Sequence, residues 1–189
     1  MFVTEDMIAE MAAAYGRPYE RSFAFDVPRS EVERIRSSQK HGRNHDVTLY
    51  VQKDGRLVVI AKHMYPPGLF RAPSGGLHPG EGFRAGIARE VREEIGCEIE
   101  LERFLLRTRV EFRDRAESVF WRSFVFLARY VSGDFRYTDR DEVREVRLVE
   151  WSEFAEFGRI MRAMGIGGLI YRAALHETVV ELLDKERQA

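Results

Sequence analysis

Three carboxylates set the chemistry of this chain: Glu90, Glu93 and Glu94 stand at i, i+3 and i+4. On a helix that spacing sends the side chains from one face about a turn apart, so they can converge on one point, as metal ligands do. A solvated surface helix is the simpler explanation for three glutamates in a charge-rich protein, and two details count against it. Gly96 marks the helix end, so Glu93 and Glu94 lie where the macrodipole disfavours anions by roughly 0.3–1 kcal/mol each. Glu90 and Glu94 also repel one another unless a cation lies between them. Arg89 and Arg92 offset part of this, and Arg89 is spaced to pair with Glu93.

A glycine-rich loop precedes the helix. Gly75, Gly76, Pro79 and Gly80 permit tight turns and close backbone approach to a ligand, and the helix begins near Gly82. Phosphate suits such a place. Together the two parts read Gly75, five residues, Glu81, seven residues, then Arg89-Glu90-Val91-Arg92-Glu93-Glu94-Ile95-Gly96-Cys97. This resembles the Nudix box, Gly-x5-Glu-x7-Arg-Glu-U-x-Glu-Glu-x-Gly-U with U apolar. Every fixed position matches, and Cys97 fills the last apolar place as a small hydrophobe.

The resemblance implies a hydrolase that cuts the pyrophosphate of a nucleoside diphosphate derivative with Mg2+ or Mn2+. Carried over by position, Glu90, Glu93 and Glu94 would be metal ligands, Glu90 would activate water, and Glu81 would support the site or join it through water. An all-oxygen set suits a hard cation, which neutralises phosphate oxygens and acidifies bound water. An acidic residue before a late strand reaches back to the site in several members. Glu142, in Asp139-Arg140-Asp141-Glu142, is the best match, with Glu145 and Asp141 as alternatives. Arg71 is a candidate for spreading developing charge, Gly75 and Gly76 for approaching the phosphates, and Tyr65 for stacking on a base. The rival readings are a non-catalytic nucleotide-binding regulator and an isopentenyl diphosphate isomerase, the latter requiring Cys97 to act.

The supporting elements follow from periodicity. Residues 4–15 read as a helix capped by Thr4 and stopped by Gly16, Phe23 and Phe25 alternate before Pro28, and Ser30 with Glu33 forms a capping box for a helix to Ser38. Arg34, Arg36, Lys40 and Arg43 make this segment basic, as a solvated face or as a lateral contact to a phosphate or base. Val47, Leu49 and Val51 alternate into an Asp54-Gly55 turn and a return strand, Leu57–Ala61. A strand from Ile99, a long strand over Val119–Val131 with Trp121, Phe124 and Phe126 buried, and a strand from Val143 to Trp151 come after the box. Ser152 is placed to cap a short helix, and a C-terminal helix from Gly167 covers one sheet face.

The expected fold is α/β, the Nudix α/β/α sandwich with a mixed sheet, an N-terminal helical extension over 1–44 packed on the core, and a Nudix domain over 45–189 ending in a helix. A net charge of −1 gives no reason to expect a nucleic-acid duplex or an anionic membrane as partner. A nucleotide-type small molecule is the expected ligand, and the resemblance allows a homodimer. One cysteine, no signal peptide and no long apolar run point to the cytoplasm. The signatures that mark ADP-ribose, dinucleoside polyphosphate, NADH or coenzyme A subgroups are absent from the sequence.

Overall fold

The structure, a computed structural model, describes residues 3–187. Its centre is the hairpin of β2 (His45–Lys53) and β3 (Arg56–Lys62). Asp54 and Gly55 both take positive φ, 51° and 77°, which is what a two-residue turn matching strand twist requires. Alternation then sorts the side chains. Val47, Leu49 and Val51 face one layer while Tyr50 faces the other, and Val58 and Ile60 part from Leu57, Val59 and Ala61 in the same way. Both faces are apolar because both are covered by helices.

Two long strands, β5 (Cys97–Arg113) and β6 (Ser118–Gly133), pair antiparallel, and β6 lies parallel to β2. With β1 (Tyr19–Asp26), the short β4 (Ser74–Gly75) and β7 (Val143–Val149), the sheet runs β1-β5-β6-β2-β3-β7, with β4 on β2. Helices α1 (Glu5–Tyr15) and α3 (Phe83–Glu94) cover one face. Helices α2 (Arg29–Ser38), α4 (Glu153–Ala163) and α5 (Gly167–Arg187) cover the other. The result is a mixed-sheet sandwich of the expected α/β kind. No described helix is long and apolar enough to cross a membrane.

The N-terminal segment differs from a purely helical extension. Its β1 adds to the sheet, parallel to β5 from Tyr19↔Leu106 to Asp26↔Arg113, and α1 seats Ile8 and Met11 beside α3. Thr4 caps α1 by accepting from the Met7 amide at 3.2 Å. Two other capping expectations fail. Helix α2 already starts at Arg29 behind Pro28, so Ser30 lies inside the first turn, and Glu33 binds Arg29 at 2.9 Å instead. Ser152 precedes α4 without a side-chain bond, while the Glu150 amide donates to Glu153 at 3.0 Å. Trp121 lies on the opposite face from the fully buried Phe124 and Phe126, beside the second core layer, and is only partly buried because it borders the cleft.

Helix α3 turns into β5 at Gly96, whose φ is +63° and whose missing Cβ would lie 2.3 Å from the Arg136 carbonyl carbon. Both the conformation and the contact with backbone require glycine. Gly96→Ala should therefore cost about 1–3 kcal/mol, read as a lower urea midpoint. An unchanged midpoint would show that the 134–142 loop moves aside freely.

Candidate active site

Helix α3 carries Phe83, Ile87 and Val91 at four-residue intervals, all buried against the sheet. That apolar row fixes its rotation. Glu90 and Glu93 are thereby held at the wall of a cleft of about 520 Å3, with Glu94 at its base.

One guanidinium gathers the carboxylates. Arg89 donates to both oxygens of Glu81 at 3.0 and 2.9 Å, to Glu90 at 2.9 Å, to Glu93 at 3.0 Å and to the Gly76 carbonyl at 3.0 Å. Helix and loop are thus joined through a single planar fork. Hydrogen bonding to Arg89 pulls Glu81 below the usual carboxylate range, helped by the His78 amide at 2.8 Å. Glu90 goes the other way, since burial disfavours its charge more than Arg89 favours it. Glu94 is 4% exposed, and burial pushes it up to about 7 despite Arg71 and a 2.8 Å bond from the Ser74 amide.

The glycines of the loop make room for these side chains. A Cβ on Gly75 would sit 1.9 Å from the Glu90 carboxyl carbon, and one on Gly76 would sit 1.8 Å from an Arg43 nitrogen. Both residues border the cleft. Arg71 borders it too, but its guanidinium lies beneath the loop, donating to the Ala72 carbonyl at 2.9 Å and the Ser74 hydroxyl at 2.6 Å and facing Glu94 at 3.5 Å. Its position is that of a brace. Tyr65 forms part of the cleft wall while 7% exposed, packed in the core on the α4 and α5 side.

Glu142 reaches the same cleft from the start of β7, paired with Lys62. Its loop is tied to α3, because the Thr138 and Asp139 amides donate to the Glu93 carbonyl at 3.0 and 2.9 Å. Asp139 joins the cleft wall, whereas Asp141 and Glu145 do not line it. His78 borders the cleft, and His63 instead meets the Arg140 carbonyl at 3.0 Å. Sequence reasoning missed Lys62, Asp46 and Arg172 as cleft residues. Nothing in their local spacing set them apart.

Among the described residues, no group of three or more His, Cys, Asp or Glu side chains stands ready to hold a metal ion. The cause is visible: Arg89 lies among Glu81, Glu90 and Glu93, and Glu94 is turned to Ser74 and Arg71. The donor chemistry nevertheless fits a hard cation. Glu90 raises the proton affinity of the buried Glu94 carboxylate, and Glu93 raises that of Glu90, a repulsion that bound positive charge would relieve.

Residues 40–165 match the NUDIX domain, and the chain belongs to that family. With every fixed box position present, it is an enzyme of the Nudix pyrophosphohydrolase class, which acts on phosphoanhydrides. No protein of curated description matches the chain in sequence. Of solved structures, a NUDIX hydrolase from Nitrosomonas europaea is similar at 18% identity and TM-score 0.50, over 71% of this chain and 88% of that one. A UDP-X diphosphatase is similar at 16% identity and TM-score 0.47, over 79% of this chain but only 61% of its own length. A MutT NUDIX hydrolase from Burkholderia pseudomallei is 27% identical, with TM-score 0.45, over 58% of this chain and 84% of that one.

The proton affinity of Glu94 gives a prediction of definite sign. Its carboxyl titrates near 7 in the fold against a usual 4.5, so its contribution to stability is fully present below pH 4.5 and is lost as pH rises through 7. Metal-free wild type should therefore lose about 3 kcal/mol between pH 4.5 and pH 8 from this group. Glu94→Gln, unfolded by urea with chelator present, should lack that component. Parallel pH curves for the two proteins would contradict it.

Proposed function

We propose that the chain hydrolyses the pyrophosphate bond of a nucleoside diphosphate derivative, such as ADP-ribose or a nucleotide sugar, with Mg2+ or Mn2+ as cofactor. The observation that carries this is the single Arg89 fork that holds Glu90 and Glu93 at the wall of a cleft that also contains Glu142, and ties them to Glu81 outside that wall. Glu90, Glu93 and Glu94 would hold the cation, with Glu81 behind them. Bound there, a divalent cation neutralises phosphate oxygens and lowers the pKa of water.

The chain's own groups supply positioning and proton transfer. Glu90 is the residue for taking the proton of the attacking water: its affinity for a proton is raised by burial, and Gly75, having no Cβ, leaves room for its carboxylate against the loop. Glu142 is the second candidate, from the opposite rim, with Lys62 beside it. Arg43 and Lys62 give the cleft positive charge for the diphosphate. Arg71 acts through Ser74 and Glu94, which shape the loop. The buried Cys97 thiol, pushed up to about 12 by burial, suits neither nucleophile nor acid and disfavours the isomerase reading. A single reduced cysteine also fits a cytoplasmic setting.

The test is release of nucleotide and phosphate from a panel of ADP-ribose, nucleotide sugars, dinucleoside polyphosphates, dNTPs and NADH with Mg2+. Wild type should turn over one class, chelator should abolish it, and Glu93→Gln should reduce kcat by roughly 10²–10⁴-fold. No turnover of any member alongside measurable nucleotide binding would instead establish a binding protein. Gly75→Ala probes the geometry separately. It should change the unfolding free energy measured in urea by no more than about 1 kcal/mol while cutting kcat at least about tenfold, because the new methyl displaces the Glu90 carboxylate. Full activity in that variant would show that Glu90 need not lie where it does.

A further inference from the structure

Six arginine and lysine side chains among the described residues border the cleft, and five of them are paired with a carboxylate of the chain. Arg34 is forked onto Glu31 at 2.6 and 3.0 Å, Lys62 is paired with Glu142, and Arg172 donates to Asp46 at 2.8 Å. Arg71 faces the buried Glu94, and Arg89 is engaged by Glu81, Glu90 and Glu93. The sixth, Arg43, has neither an ion pair nor a hydrogen bond among the described residues.

The chain holds this arginine in place from both sides. In the turn Lys40–Gly42, His41 and Gly42 take φ of 56° and 79°, which bends the chain sharply off α2. A non-glycine residue in the left-handed region is uncommon and persists where its surroundings hold it. Just after Arg43, the Asn44 carbonyl accepts from the Arg122 amide at 2.9 Å and ties the backbone to β6. The side chain then lies across Gly76, where a Cβ would sit 1.8 Å from Nη1, 2.4 Å from Cζ and 2.6 Å from Cδ. Gly75 gives the same room to Glu90, so adjacent glycines seat a guanidinium and a carboxylate. Arg43 acts on Glu90 through space, favouring its charge without bonding to it.

Burial divides the guanidinium. Its Nε is buried without a partner, a cost in free energy that a solvated rotamer would avoid. Nη1 and Nη2 also lack partners, but neither is buried, so both are open to an anion in the cleft.

We propose that Arg43 is the residue that grips the diphosphate, donating through Nη1 and Nη2 to two nonbridging oxygens of one phosphate, and that Gly76 is glycine in order to seat it. The proposal rests on the reading of the cleft as a diphosphate site. A guanidinium matches a phosphate bidentately, and one without an internal carboxylate keeps its full charge for a ligand. An arginine kept only for structure would hold a carbonyl or a carboxylate, and Arg43 holds neither among the described residues.

The experiment is calorimetric titration of the full chain with methylenediphosphonate, a base-free diphosphate mimic that water does not cleave, in Mg2+. Arg43→Ala should weaken its binding at least about tenfold, with Arg43→Lys, which keeps the charge and loses the fork, falling between. Mn2+ affinity without the diphosphonate, read by electron paramagnetic resonance, should not weaken in either variant, whereas a collapsed site would lose both ligands. Gly76→Ala meets only the far end of a flexible side chain, so the chain should fold and bind the diphosphonate as weakly as Arg43→Ala does. Added to Arg43→Ala, it should cost nothing further, because both changes remove one contact. Unchanged diphosphonate affinity in Arg43→Ala, or a parallel loss of Mn2+ binding, would overturn the proposal, and a further loss in the double variant would overturn the seating by Gly76. A wild type that does not bind the diphosphonate would overturn the proposal together with the diphosphate reading. The readout needs no turnover: a chain that binds but hydrolyses nothing in the substrate panel loses only the hydrolase reading.

Discussion

The position of the Arg89 guanidinium is the constraint on which the site depends. It makes five hydrogen bonds to four residues, two to Glu81 and one each to Glu90, Glu93 and the Gly76 carbonyl. The alternatives show why a single cation suffices. Unit charges about 4 Å apart interact by about 4 kcal/mol at an effective dielectric of 20, whereas the helix dipole contributes roughly 0.3–1 kcal/mol. The guanidinium therefore decides whether the carboxylates can share a wall, and the dipole is a secondary cost. The neighbouring glycines allow that approach. At Gly86 a Cβ would lie 2.2 Å from Leu77 and 2.9 Å from Glu81, so the helix could not close on the loop with a larger residue.

The sheet transmits this constraint through β2. One edge of β2 is divided between two partners, β3 at Val51–Lys53 and β4 at Val47 and Thr48, so the strand that centres the core also holds the glycine loop in register. Strand β3 then delivers Lys62 to the cleft and, by the Ile60↔Arg71 bridge, fixes the brace under the loop. On the other face, α5 is bound to β2 by polar contacts, Arg172 to Asp46 and Thr48 and His176 to the Tyr50 hydroxyl. A change in β2 would reach both the glutamate wall and the Asp46–Arg172 end of the cleft.

What could be read from the chain was what short-range spacing encodes. The intervals from Gly75 to Gly96 bring loop and helix residues together over a few turns, and the alternation through Val47, Leu49 and Val51 assigns strand faces directly. Parallel pairing of β1 with β5 has no such signature, since its partners are 87 residues apart at Tyr19↔Leu106. Arg71 resembled a phosphate ligand because a lone arginine beside a glycine loop carries no mark of burial; its role comes from Glu94, 23 residues on. Trp121 looked like core because it shares a strand with Phe124 and Phe126, yet an odd offset sends it to the other face, where it borders the cleft. That end of the cleft was least legible, joining Asp46, Trp121 and Arg172 from three distant segments.

The most direct measurement of the account is Mn2+ binding, followed by electron paramagnetic resonance, to wild type and Glu90→Gln in the presence of a methylene-bridged nucleoside diphosphate that cannot be hydrolysed. The account predicts that the analogue tightens Mn2+ binding to wild type and that Glu90→Gln weakens it at least about tenfold. Mn2+ binding unaffected by both the analogue and the substitution would contradict it.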